Sequence, residues 1–299
     1  MYKTLSTLTA RLGAPYTRKL AAASVQLAGQ LRFSLPPAEL RCRSMGLSFP
    51  TPIGLAAGFD KDGKLYSALP WLGFGFAEIG SVVPQAEAGR SPGLACVAAQ
   101  LARYRSDRPI PLGVSISMNR ATAFSRMPQD YLDCMEVLWD LADYITLNLG
   151  VRAGPDLHLA PNRSALDAVL FAVSRQREAL VASSGGQLPI LIKVDASRGD
   201  SLSLAYRALD HGLDGIVLSG EGTESEKLLT LERTVRALNG KVPVISVGGI
   251  RNPQHALDRL SAGASLVQVY SGLVESGPGF VSQIIEAMTT APEARVIQA

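Results

Sequence analysis

At 299 residues, 47% of them apolar, the chain is long enough to bury one large core and has the size of a single α/β barrel domain. The formal net charge is +3, but Lys3, Arg11, Arg18, Lys19, Arg32, Arg41 and Arg43 stand against Glu39 alone in the first 43 residues, a local +6 that leaves the remainder at −3; this speaks against a nucleic-acid-binding body and puts a basic element at the N-terminus, suited to an anionic surface. Cys42, Cys96 and Cys134 are widely spaced and match no zinc or disulfide framework, so no metal is expected and a reducing compartment, the cytoplasm, fits.

Residues 1–40 read as two short helices broken at Gly13-Ala14-Pro15, the second placing Leu20, Leu27 and Leu31 on one face with Arg18, Lys19 and Arg32 near its ends. Such a helix either lies on a membrane, here peripherally on the inner face of the cytoplasmic membrane, or caps its own domain; the pattern fits both. No run reaches the ~20 apolar residues of a membrane-spanning helix. The expected division is a helical extension over residues 1–40 and a barrel over 41–299.

From Pro52 onward short apolar runs alternate with helical periodicity, the signature of βα units in a parallel sheet. The runs fall at residues 53–57, 77–82, 112–116, 144–149, 190–194, 215–218, 244–247 and 266–270, and helices are predicted over 129–141, 165–183, 201–211, 224–238, 253–262 and 277–288. Eight units close a (β/α)8 TIM barrel, whose chemistry sits just past the C-terminal ends of the strands.

Those ends carry Ala57-Gly58 with Lys61, then Ser81, then Ser115 and Ser117, then Asn148, Lys193 and Ser219, then Gly248-Gly249 and finally Tyr270-Ser271-Gly272. Two glycines after a buried strand let backbone N–H groups approach an anion without Cβ interference. Tight helix–strand packing is the competing account of the pair. Lys193 lies inside an apolar strand, where a lysine needs an anionic partner or suffers desolvation. Two lysines, an amide, several hydroxyls and a double-glycine phosphate site suit a phosphorylated, planar, hydrogen-bonding cofactor, and FMN fits. A lysine at the pyrimidine edge of such a ring stabilises the negative charge that reduction develops there.

The segments MGLSFPTPIGLAAGFDKDGKLYSALPWLGFGFAEIGSVVP (45–84), DYLDCME (130–136), DYITLNLG (143–150), PILIKV (189–194), LDGIVLS (213–219) and VPVISVGGI to GASLVQVYSGLVESGP (242–278) resemble the dihydroorotate dehydrogenases, in particular their membrane-associated, quinone-linked class 2. The resemblance implies an FMN barrel with Ala57, Gly58, Lys61, Ser81, Asn148, Lys193, Ser219, Gly249, Tyr270 and Ser271 at flavin-contacting positions, and a leader similar to the helices through which class 2 members meet membrane and quinone.

The chain also departs from that pattern. Where the family carries Asn-x-Ser-Ser-Pro-Asn after the fourth strand, this chain reads Asn148-Leu149-Gly150-Val151-Arg152-Ala153, so Val151 stands at the base position. Residues 85–111 lack the family's Asn-Arg-Met-Gly-Phe-Asn segment, Thr-Asn-Thr has become Ser219-Gly220-Glu221, and a glycine-rich insertion is replaced by direct entry into the Glu224 helix. Each unpaired polar group of a small substrate costs about 1–3 kcal/mol, so these losses together remove most affinity for dihydroorotate. The expectation is an FMN-dependent oxidoreductase moving hydride between flavin N5 and another small substrate, with a quinone as acceptor. Lys61, Asn148, Arg152 and His158 form its catalytic set, His158 being the general-base candidate by its pKa range. Asp156, Arg163, Glu221 and Cys96 are further candidates in the altered loops, and His211 and His255, at helical positions, are expected to be structural or exposed. A true quinone-linked dihydroorotate dehydrogenase with a rearranged pocket and a non-catalytic flavin-binding paralogue are the alternatives.

Overall fold

Strands that are apolar on both faces demand cover on both, and here they obtain it by closing into a parallel barrel wrapped by helices. The computed structural model describes residues 14–30, 36–149, 157, 162–197 and 201–290. In chain order the elements are α1 (Ala14–Gln30), β1 (Cys42–Ser44), β2 (Leu47–Phe49), β3 (Ile53–Leu55), β4 (Phe76–Val82), α2 (Leu94–Leu101), β5 (Leu112–Ile116), α3 (Met127–Leu138), β6 (Tyr144–Asn148), α4 (Arg163–Ser184), β7 (Ile190–Asp195), α5 (Ser201–Asp210), β8 (Gly215–Ser219), α6 (Glu224–Leu238), β9 (Val244–Val247), α7 (Pro253–Ser261), β10 (Leu266–Val269), α8 (Ser271–Ser276) and α9 (Phe280–Thr290). Strands β3 to β10 pair in sequence order and β10 closes on β3, the (β/α)8 barrel expected.

Alternation along the strands sorts the side chains. Ile190, Ile192 and Val194 face the helices, whereas Leu191 lies in a separate interior cluster with Phe76, Tyr144, Val217, Ile245 and Leu266. Two aromatic rings fit inside because neighbouring positions are glycine: a Cβ at Gly54 would meet the Phe76 ring at 2.2 Å, and one at Gly113 the Tyr144 ring at 2.0 Å. One layer nearer the mouth, buried Glu78 accepts from Gln268 Nε2 (2.9 Å) and Thr146 Oγ1 (3.0 Å). This polar layer divides an apolar floor from the functional rim.

The β1–β2 hairpin was not expected. Its turn, Met45-Gly46, has φ of 53° and 76°, the twist a two-residue hairpin needs. Three-residue strands are too short to show a period, yet Phe49 from this hairpin plugs the barrel floor, edge-on to Phe76 at 5.4 Å. Helices α2 and α8 were also missed. The expected helix from residue 277 starts at Phe280, because Gly277 at φ 86° ends α8.

Helix α1 corrects the leucine-face reading. Its buried face is Ala21, Val25 and Ala28, while Leu27 is 65% exposed. Small residues won because the helix lies tightly on the short 3-10 turn Tyr66–Ala68: a Cβ at Gly29 would stand 2.4 Å from Ala68 Cβ. The expected first leader helix, Leu31 and Arg32 lie outside the described residues. No described helix is long and apolar enough to cross a membrane.

Candidate functional site

Past β3 the chain folds over the barrel mouth. Gly58, at φ 95°, donates its N–H to Gly80 O at 2.7 Å, and Gly80 donates to Asp60 O at 3.2 Å. Asp60 clamps this loop, accepting from Gly63 N (3.0 Å) and Leu65 N (2.9 Å). Burial, reinforced by the neighbouring charge of Asp62, pushes its carboxyl up to about 6 in spite of these donors. Lys61 stands on the rim and donates to Gly89 O at 2.6 Å; burial first, then the charges of Arg18 and Arg90, hold its ammonium below the usual lysine range. Arg18 reaches in from α1 and donates to Gly58 O at 3.2 Å, which couples the N-terminal helix to the mouth.

Across the mouth runs a hydrogen-bonded chain. Asn148 Nδ2 donates to Ser81 Oγ at 2.7 Å, and Ser81 and Ser115 share a bond at 3.0 Å. Two hydroxyls, Ser117 Oγ at 3.2 Å and Tyr131 OH at 3.1 Å, donate to the Asn148 carbonyl and fix that strand end. Lys193 is registered beside Asn148. It is half-buried, and no hydrogen bond or ion pair joins its ammonium to any described residue.

Ser219 spends its hydroxyl on Val194 O at 3.2 Å. Gly248 and Gly249 follow β9 at φ 103° and 76°, and Gly272 N donates to Ile250 O at 3.1 Å, tying the loops after β9 and β10 together. Tyr270 packs edge-on against Phe59 at 5.5 Å; burial raises its phenol, and the Arg18 charge opposes that rise.

Behind the double glycine sits Arg259, 3% exposed. It donates Nε to Glu224 Oε1 at 2.7 Å, Nη1 to Ser246 Oγ at 3.0 Å and Nη2 to Gly248 O at 3.5 Å, and pairs through Nη2 with Glu224 Oε1 at 2.7 Å. His255 Nδ1 lies 3.2 Å from Gly249 O, so this histidine is structural, as expected, but it supports the glycine loop itself.

The family model described as Dihydroorotate dehydrogenase matches residues 39–92 and 215–291. Proteins named dihydroorotate dehydrogenase (quinone) are similar along most of the chain: one from Azotobacter vinelandii is 33% identical over 84% of this chain and 85% of its own, and one from Stutzerimonas stutzeri is 30% identical over 96% and 98%. The chain belongs to the dihydroorotate dehydrogenase family. Its fold is likewise that of a solved dihydroorotate dehydrogenase from Eimeria tenella in complex with ferulenol, with a TM-score of 0.81, 24% identity and 93% of both chains covered. Membership makes this chain a flavin-dependent oxidoreductase of the CH–CH type.

Within this family barrel the expected flavin positions converge on one rim: Ala57, Gly58 and Lys61 after β3, Ser81, Ser115 and Asn148 in one bonded chain, Lys193 and Ser219 on the next strands, and Gly248, Gly249, Tyr270 and Ser271 at the closing loops. Arg152, Asp156, His158 and Val151 lie outside the described residues. Cys96 is exposed on α2.

Sequence reasoning missed a network beside Lys61. Arg90 donates to Glu87 Oε2 at 2.7 Å and to Met118 O at 2.9 Å. Asn119, 8% exposed, donates Nδ2 to Glu87 Oε1 at 2.9 Å, and Arg120 N donates to the same oxygen at 2.7 Å. Burial alone would raise the Glu87 carboxyl, but these donors together hold it below the usual carboxylate range. The only local signal was the Glu87/Arg90 spacing in a turn, which reads equally as solvated surface.

Proposed function

We propose that this chain is an FMN-dependent oxidoreductase acting on a small substrate other than dihydroorotate, with a quinone as acceptor. One contrast carries the reading: the rim that suits a flavin is whole, while Val151 stands where the family places its proton-accepting residue. The matched segments of the family model also include β1 to β4 and β8 to β10 but not residues 93–214, which hold the altered loop after β6.

The fit to FMN rests on the glycine cradles at Gly58 and Gly248-Gly249, which a Cβ would fill or strain, and on Lys193, a half-buried cation without a counter-charge among the described residues. When bound, FMN supplies a two-electron acceptor that passes its electrons onward. The residues do the rest. Asn148 and the paired serines orient hydrogen-bonding edges, and Lys193 holds positive charge where negative charge develops. Lys61, flanked by Arg18 and Arg90, presents a cation to an anionic substrate group. Arg152 is a substrate-orienting candidate and His158 the general-base candidate. The bond from Arg18 to Gly58 O, with Tyr16 and Leu27 exposed on α1, supports residues 1–40 as the element at which a quinone arrives from the inner face of the cytoplasmic membrane.

The names of the relatives favour a second reading, a dihydroorotate dehydrogenase with a rearranged pocket. A visible spectrum followed by anaerobic titration with dihydroorotate separates the two. A yellow protein that dihydroorotate leaves oxidised, yet that cycles between chemical reductant and quinone, is the expected result. Stoichiometric bleaching by dihydroorotate refutes the first reading and establishes the second.

A further inference from the structure

We propose that Lys227, on α6, is the cation that binds the cofactor's phosphate and makes this chain selective for FMN over riboflavin; this rests on the flavin reading above. Only residues 220–223 separate β8 from α6, so the first turn of that helix comes over the rim beside the double glycine. A Cβ at Gly249 would stand 2.4 Å from Lys227 Nζ, which places the ammonium directly against the glycine backbone. That backbone is at positive φ and carries no Cβ of its own, the setting in which peptide N–H groups and a lysine meet one anion together.

The Lys227 ammonium makes no hydrogen bond or ion pair with any described residue, although Glu224 Oε2 also borders that point, 3.7 Å from a Cβ at Gly249. Glu224 Oε1 is taken by Arg259 Nε and Nη2, both at 2.7 Å. Glu226 turns back to accept from Thr223 N and Thr223 Oγ1, both at 2.8 Å, in a capping box. The ammonium is therefore half-buried and held in no ion pair among the described residues. It borders a cavity of about 40 Å³ together with Ser219, Gly220, Val247 and Arg259. A cavity of this volume admits small polar groups beside the ammonium. Glu221 and Glu226 also line it, but both are exposed and screened by solvent. The position is absent from the family's flavin-contacting set given above, and it compensates for the missing glycine-rich insertion.

Apoprotein titrated separately with FMN and riboflavin, followed by quenching of flavin fluorescence, tests this. Lys227→Ala is expected to weaken FMN about 10- to 100-fold, the worth of one charge-assisted hydrogen bond, and to leave riboflavin affinity unchanged. Lys227→Arg should restore most of the difference, and the wild type and this variant, but not Lys227→Ala, should lose that preference steeply with added salt. Riboflavin binding reports on the fold in every variant. An unchanged FMN-to-riboflavin ratio in Lys227→Ala, with FMN bound, overturns the proposal and leaves the flavin reading standing. A wild type that binds neither flavin overturns both.

Discussion

Arg259 is the buried charge on which the glycine loop depends, and its removal has a calculable cost. It is 3% exposed and bonded to Glu224, Ser246 and Gly248 O. Breaking a buried pair by deleting one partner costs about 3–5 kcal/mol. Arg259→Met should fall near about 3 kcal/mol, at the low end of that range, because the Glu224 side chain keeps 22% of its surface in water and stays partly solvated. Glu224→Leu should cost about 4 kcal/mol, since it leaves a guanidinium buried with only neutral acceptors. The double variant buries no charge and should cost about 2 kcal/mol, a coupling of about 5 kcal/mol. Urea unfolding of the four proteins at one pH measures this, with equal slopes as the check that compactness is unchanged. Single costs that add to within about 0.5 kcal/mol in the double variant would refute the reasoning. A second readout follows from the same geometry. In Arg259→Met the freed Glu224 captures Lys227, so FMN should weaken about tenfold, an effect that the double variant lacks.

Gly113→Ala places a methyl 2.0 Å from the Tyr144 ring inside a closed barrel and should destabilise by about 3 kcal/mol, read as a fall in thermal midpoint. Asp60 is an acid whose folded pKa is raised from 3.8 to about 6, so its stabilising contribution is full below about pH 4 and is lost as pH rises through about 6, a swing of about 3 kcal/mol. Asp60→Asn should flatten that part of the stability–pH curve; an unchanged slope in denaturant titrations would show that the carboxyl is not protonated in the native chain. On α1, Leu27→Ser should change stability by less than about 0.5 kcal/mol because the side chain is 65% exposed, whereas Gly29→Leu should detach the helix from Ala68 and expose it to protease.

The barrel was legible because strands covered on both faces read as short unbroken apolar runs, such as the one that begins Ile190–Asp195, and these alternate with helical periodicity. Rim residues were legible for the same reason. Position along a strand determines height in the barrel, so residues at the ends of successive apolar runs, such as Asn148 and Lys193, fall on one rim. Elements whose signal is tertiary escaped. The β1–β2 hairpin has strands of three residues, and its value lies in what Phe49 plugs. Helix α1 was read by the size of its leucines, but a helix that must approach a turn closely selects alanine and glycine.

The same distinction explains why the flavin half and the substrate half of the site differ in legibility. A flavin is held largely by strand ends and glycine backbones, which the barrel cannot move without losing its own closure. A substrate is held by side chains on loops, which vary freely. In this chain the loop after β4 spends Glu87 on Arg90, Asn119 and the Arg120 N–H, and Arg90 in turn on Met118 O, so its charges are matched internally. Lys61, whose ammonium is bonded among the described residues only to the neutral Gly89 carbonyl, keeps a positive charge at the mouth. If a substrate carboxylate or comparable anion meets that charge, Lys61→Met should raise KM for the true substrate far more than it lowers kcat. An equal fall in both would instead place Lys61 in the chemical step.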